Sequence, residues 1–278
     1  MSSKKLYLIT GPTASGKTDL SIELALKLNS PVISCDSRQI YKELKIGTAP
    51  PTSSQLKAVK HYFIHSHSIF NHYTAGKYEV EALSLMDSLY KEYDSLVMVG
   101  GSGLYAHAIC YGIDDFPAAN LELRVELNQR MEAEGVESLR KELKLIDPLS
   151  YSQIDIANPQ RILRAIEVTL ATGKKFSEYK NFRKKQRFFT VENINVEIER
   201  DSLYKRINRR VDTMMENGLL NEAKDLYQYR ELTALKTVGY RELFEYLDGK
   251  YSLEEAIDLI KRNTRRYAKR QITWFKRY

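Results

Sequence analysis

Cysteine is scarce in this 278-residue chain: Cys35 and Cys110 are the only two, and they lie far apart. Two such residues supply neither a disulfide framework nor a cysteine-based metal spacing, and they point to a reducing compartment. No apolar run approaches the roughly 20 residues that a membrane span needs, so no membrane association is expected. The N-terminus, "MSSKKLYLIT", enters a strand-like run at once and lacks the pattern of a secretory signal, which makes a cytoplasmic location the expectation. Internal repeats and low-complexity segments are also absent. Acidic residues are missing from one place in particular. Lys261 to Tyr278 hold eight Lys or Arg and no Asp or Glu.

The rest of the composition, 43% hydrophobic and 28% charged, is that of an ordinary globular chain, long enough for one large domain or a core with a smaller second one. The formal net charge is +7, and without the basic C-terminal stretch 35 basic residues face 36 acidic ones. The positive charge is therefore concentrated in one element. Such an element suits a polyanionic partner, or forms a solvated helix face.

Residues 6–10 read as a buried strand, followed by a loop and a helix to about Leu28. "PVISCD" (31–36) and "SLVMVGG" (95–101) read as two further strands, with a helix over 77–93 between them. Strands alternating with helices predict a parallel α/β sheet, whose ligands gather at the carboxyl ends of the strands. From about Asn120 to Gly173 the pattern is helical throughout. "VENINVEIE" (191–199) alternates as a strand does, and 202–229 and 252–275 read as long helices. The expected architecture is a P-loop kinase-like parallel sheet core, split into 1–119 and 191–278, with an all-helical insertion at 120–190 and basic C-terminal helices.

The sharpest local signal is "GPTASGKT": Gly11, Pro12, Thr13, Ala14, Ser15, Gly16, Lys17 and Thr18. It fits the template G-x-x-x-x-G-K-[ST] between a strand and a helix. The glycines let backbone N–H groups face phosphate oxygens, Lys17 adds a point charge, Thr18 offers a hydroxyl to Mg²⁺, and the helix N-terminus adds its dipole. A nucleotide-hydrolysing enzyme also needs an acid for the metal at the end of an apolar strand. "LVMVGG" ends in glycine, whereas "VISCD" ends in Asp36. Asp36 is either a base directed at an acceptor substrate or a strand-end acid that caps a turn.

"GPTASGKT", "SCDSRQIYKELKIGTAPP", "VGGSGLY", "NPQRILRAIEV", "TVGYRE" and "TRRYAKRQITWF" follow one another in that order. Together, from residue 6 to the C-terminus, they resemble the tRNA dimethylallyltransferases, also called tRNA isopentenyltransferases. The resemblance implies that the phosphate loop holds the diphosphate of dimethylallyl diphosphate, with Mg²⁺ near Thr18, and that the acceptor is N6 of the adenosine 3′-adjacent to a tRNA anticodon. It implies Asp36 as the base and Arg210 as a further diphosphate ligand. It implies a second catalytic residue in Ser102, which stands where the family commonly has threonine and keeps a hydroxyl for a hydrogen bond to the target adenine or its amine. Implied tRNA contacts are Asp36, Ser37, Arg38 and Gln39; Ser102; Arg124; Gln160, Arg161, Ile162, Leu163 and Arg164; and Lys269, Arg270 and Gln271. Such an enzyme is expected to work as a monomer. The chain stops soon after "TWF", so no C-terminal zinc finger is expected.

Three rivals make different predictions. A small-molecule kinase with Asp36 as its base binds ATP and has no use for the basic terminus. An RNA-binding protein with a regulatory phosphate loop survives loss of Asp36. A prenyltransferase acting on free adenine nucleotides lacks "NPQRILR" and the basic terminus. Among residues outside the motifs, Trp274 and Phe275 are read as anchors of the last helix in preference to an RNA stacking platform, and Gly239 as a point of close backbone approach.

Overall fold

The computed structural model describes residues 4–180 and 184–276. Arg277, one of the eight basic residues near the terminus, lies outside them. Five parallel strands form one sheet: β1 (Lys5–Thr10), β2 (Val32–Ser34), β3 (His61–Tyr62), β4 (Ser95–Val99) and β5 (Thr190–Asn195), in the order β3-β2-β4-β1-β5. The helices are α1 (Lys17–Lys27), α2 (Ser53–Ala58), α3 (Ala75–Leu89), α4 (Gly103–Tyr111), α5 (Leu121–Glu134), α6 (Val136–Ile146), α7 (Pro148–Gln153), α8 (Pro159–Thr172), α9 (Phe176–Tyr179), α10 (Arg200–Glu216), α11 (Leu219–Leu226), α12 (Tyr240–Leu247) and α13 (Leu253–Phe275).

The chain divides into two compact units, one running to Tyr111 and resuming at Gln186, the other Gly112–Lys185. The expected insertion, 120–190, differs at both ends. Gly112, at φ 80, directly follows the last residue of α4, and Thr190 already belongs to the sheet as the partner of Lys5.

Period-two alternation sorts the inner strands onto two faces. Leu6 and Leu8 of β1, Ile33 of β2, and Leu96 and Met98 of β4 point to one face, where they meet Tyr78, Ala82 and Met86 of α3 and Ile109 of α4. Tyr7, Ile9, Val32, Val97 and Val99 point to the other, against Leu20, Leu24 and Ala25 of α1. Truncating one of the fully buried aliphatic side chains, such as Leu8, costs about 2–5 kcal/mol. Both cysteines belong to the first face and are buried. Burial pushes the Cys35 thiol far above its ordinary range and the Cys110 thiol up to about 12. An ion pair braces the same layer: Arg187 reaches Glu79 at 2.6 Å and also donates to the carbonyls of Ala108 and Ile109.

The helix expected over 202–229 is two helices. Gly218, at φ 96, ends α10 in the left-handed conformation that glycine adopts most readily, and α11 starts at the next residue. Gly239 also has positive φ, 100°, but nothing lies within 4 Å of where its Cβ would be. Its reason is conformation, not the close approach expected. Phe275 is buried in the first core layer and Trp274 packs beside it. A Cβ on Gly103 would fall 2.2 Å from the Trp274 ring. The two aromatics anchor α13.

The second unit builds its own core from Leu127, Leu139, Leu143, Ile162, Leu163 and Ile166. Three of its helices, α5, α7 and α8, start on side-chain caps. Asn120, Asp147 and Asn158 each accept a bond from a backbone N–H of the first turn. Among the described residues no helix is long and apolar enough to cross a membrane.

Candidate active site

The strand tips β1, β2 and β4 converge on one cavity of about 510 Å³. Its first wall is the phosphate loop. Gly11 has φ 146, and a Cβ there would sit 2.9 Å from the Val196 carbonyl oxygen, so only glycine fits. Ala14 (φ 64) and Gly16 (φ 97) complete a turn that delivers the chain into α1. The Lys17 ammonium folds back over the loop and donates to the Pro12 carbonyl at 2.5 Å. Burial lowers its pKa to about 8, against the attraction of Asp36 and with the repulsion of Arg210. Arg210, from α10, donates to the Thr13 hydroxyl at 3.1 Å, and burial lowers its pKa too. The loop is thus flanked by two cations, each held by a neutral oxygen. Thr18 lines the cavity directly after Lys17, with a hydroxyl of the kind that can ligate a metal ion. Asp19, also in the lining, accepts from the Gln55 amide at 2.7 Å and attracts Arg210 through space.

The second wall is the turn after β2. Asp36 Oδ1 accepts the N–H groups of Arg38 (2.9 Å) and Gln39 (3.3 Å), a local bond of the kind Asp forms readily. That fixes the carboxylate and leaves Oδ2 as the oxygen free of the turn. Gly101 faces it: a Cβ on Gly101 would lie 3.5 Å from Oδ2. Ser102 does not bond Asp36. Its hydroxyl donates to Ser37 Oγ at 2.9 Å and accepts the Ser37 N–H at 2.8 Å. It braces the turn that carries the acid.

Gln271 ties the two walls together. Its Oε1 accepts the Thr13 N–H at 2.8 Å and its Nε2 donates to the Gly101 carbonyl at 2.9 Å. With 5% of its surface exposed and both ends of its amide engaged, it does not offer itself to RNA as expected. Tyr267, one turn earlier on α13, also lines the cavity, and burial, with Asp36 nearby, pushes its phenol well above the ordinary value. Pro50, Pro51, Ile64, Met214 and Val238 supply an apolar lining. The cavity thus offers N–H groups and cations for a diphosphate, a carboxylate for an acidic proton, and room for a short apolar chain.

The remaining expected RNA contacts divide by exposure. Gln160, Arg161, Lys269 and Arg270 are exposed, and Arg38 lies at the cavity edge. Ile162 and Leu163 are 0% and 2% exposed in the core of the helical unit, so their side chains hold helices together and cannot reach RNA. Arg124 and Arg164 both turn to the buried Glu167. Arg124 donates through Nε (3.0 Å) and Nη2 (2.6 Å), and Arg164 donates to the other oxygen at 2.7 Å while also binding the Pro117 carbonyl. The fixed wall Gly47–Thr52 and the bridging role of Gln271 escaped the sequence reading. Ala268, Gln271 and Phe275 recur at helical spacing, a stripe that marks Gln271 as inward-facing.

The family model described as IPP transferase matches residues 39–278. The chain is 46% identical over 277 residues to tRNA dimethylallyltransferase 1 of Bacteroides fragilis, covering 100% of this chain and 92% of that one. It is 48% identical to tRNA dimethylallyltransferase of Christiangramia forsetii, covering 99% and 91%. Among solved structures, a tRNA Δ(2)-isopentenylpyrophosphate transferase of Staphylococcus epidermidis matches with a TM-score of 0.69 at 34% identity, over 98% of this chain and 90% of that one. A eukaryotic dimethylallyltransferase captured acting on tRNA matches with a TM-score of 0.80 at 28% identity, over 98% and 70%.

Proposed function

The chain belongs to the IPP transferase family, as a tRNA dimethylallyltransferase, and from that premise we propose how its cavity carries out the transfer. The donor is dimethylallyl diphosphate and the acceptor is N6 of adenosine 37, 3′-adjacent to the tRNA anticodon. The observation that carries this reading is the meeting, in one cavity, of the phosphate loop with Lys17 and Arg210, the Asp36 carboxylate, and an apolar lining.

The donor diphosphate lies on the loop N–H groups between Lys17 and Arg210, with its five-carbon chain along Pro50, Pro51 and Met214. Thr18 is the residue that would hold Mg²⁺, which when bound would supply charge neutralisation to the leaving diphosphate. The N6 amine is a weak nucleophile because its lone pair is delocalised into the ring. As the N6–carbon bond forms and the carbon–oxygen bond to diphosphate breaks, Asp36 Oδ2 takes one N6 proton and the bonding pair leaves with diphosphate. Ser37 and Ser102 keep the Asp36 turn in place. The base must leave its stack to reach this point. Arg38 at the cavity, Gln160 and Arg161 on α8, and Lys269 and Arg270 on α13 are the side chains offered to RNA phosphates and base edges. The working unit in this proposal is a monomer.

The test is a paired assay with Mg²⁺ and unmodified tRNA. Label is expected in tRNA from dimethylallyl diphosphate and not from γ-labelled ATP. ATP consumption with no prenyl transfer would return the phosphate loop to a kinase.

A further inference from the structure

Gly47–Thr52, the wall that faces the phosphate loop, contains no helix or strand, and its shape is imposed from outside the cavity. Three successive backbone N–H groups converge on the Glu222 carboxylate. Lys45 N donates to Oε2 at 2.8 Å, Ile46 N to Oε2 at 2.9 Å and Oε1 at 3.1 Å, and Gly47 N to Oε1 at 3.0 Å. A run of N–H groups turned to one side is an anion-binding concavity, filled here by a side chain of the protein itself. The fully buried Tyr240 donates its hydroxyl to Oε1 at 2.6 Å. Its ring occupies the space a side chain at residue 47 would need: a Cβ there would lie 2.6 Å from the ring. Gly47 is the residue that permits the clamp.

The same loop is gripped from the catalytic side. The Gln39 amide donates to the carbonyls of Thr48 (3.2 Å) and Ala49 (2.9 Å), and the Gln39 N–H is one of the two held by Asp36 Oδ1. Ala49 is kept at φ 48, a conformation that residues other than glycine seldom adopt. One bonded path therefore runs from Glu222 through 45–49 and Gln39 to the Asp36 turn. Neither Glu222 nor Tyr240 lines the cavity.

We infer that Glu222 and Tyr240 are a positioning pair: from outside the cavity they set the Gly47–Thr52 wall, and with it the fit of the donor against the phosphate loop. The substrate side of this inference rests on the transferase reading above. Glu222→Gln keeps the size but replaces one acceptor oxygen by a donor that opposes the converging N–H groups. Tyr240→Phe removes a single hydroxyl.

Steady-state transfer assays on both variants, varying donor and tRNA separately, give the expected split. KM for dimethylallyl diphosphate rises on the order of tenfold or more in Glu222→Gln, the size expected for a lost charged hydrogen bond. The rise is smaller in Tyr240→Phe, and KM for tRNA changes less than about twofold in both. Unchanged donor KM in folded Glu222→Gln overturns the inference. So does equal loss toward both substrates with a matching fall in melting temperature, the mark of a purely structural staple. Amide hydrogen exchange without substrate tests the clamp independently. Ile46 and Gly47 exchange faster in Glu222→Gln than in the wild type if the inference holds, and equal rates sink it. Wild-type protein that fails to prenylate tRNA defeats the transferase reading, and with it the donor-fit claim; the exchange result still decides the clamp.

Discussion

The sheet unit and the helical unit use arginine and lysine in opposite ways. Around the phosphate loop, Lys17 and Arg210 hydrogen-bond a carbonyl and a hydroxyl, both neutral, while the nearby acids Asp36 and Asp19 act on them only through space, so neither cation is closed into an ion pair before an anion arrives. In the helical unit, Arg124 and Arg164 close on one buried carboxylate, Glu167; Arg124 ties α5 to α8, and Arg164 ties α8 to the Pro117 carbonyl. The partner of a cation, more than its position in a motif, separates a ligand group from a structural one.

The largest effect expected is in the sheet unit. Asp36→Asn should lower turnover on the order of 10²- to 10⁴-fold while tRNA binding and melting temperature stay near wild type, read by transfer kinetics and a filter-binding titration. A variant that keeps normal turnover would remove Asp36 as the base. The matching cut in the helical unit is Glu167→Gln, which leaves two guanidinium groups around a neutral amide. It should destabilise that unit by about 3 kcal/mol, read by denaturant unfolding, with donor KM unchanged. Should donor KM move instead, the division of labour between the two arginine sets is wrong.

The pH dependence sharpens the same contrast. Burial acts to raise the pKa of Asp147, but hydrogen bonds from the hydroxyl and N–H groups of Ser150 and Ser177 outweigh it and hold the carboxyl below its usual value. A carboxyl depressed in the folded state gives stability that is complete above its unfolded pKa of about 4 and is lost as pH falls toward the folded value. The helical unit should therefore weaken in acid, and Asp147→Asn should flatten that response in circular-dichroism melts. Lys17 carries the opposite sign. Its pKa of about 8 without ligand rises when a diphosphate binds, so donor affinity should be level below pH 8 and fall above it. A donor Kd that stays flat to pH 10 would mean that Lys17 does not meet the diphosphate. The smallest effect belongs to the exposed face of α13. Lys269→Ala and Arg270→Ala should each reduce the salt slope of tRNA binding by about one and leave donor KM alone.

Much of the sheet was legible because apolar runs ending in glycine or aspartate mark buried parallel strands. The two-residue strand β3 is too short to leave a pattern. The phosphate loop and Asp36 were legible because their chemistry is local in the chain. Gln271 was not, since its role depends on Thr13 and Gly101, more than 150 residues away. Ile162 and Leu163 sit inside a motif yet also lie on the stripe that continues to Ile166, and burial follows the stripe. Glu222 stands alone in the sequence, and its function exists only once three N–H groups are folded around it.

The two buried thiols have a practical consequence. Cys35 and Cys110 are shielded from solvent and kept in the protonated form, the unreactive one toward alkylating reagents. The native protein is therefore a silent background for thiol-directed probes. A change such as Lys269→Cys would give a single labelling point on the exposed face of α13, from which fluorescence could report the arrival of RNA without any residue of the cavity lining being replaced.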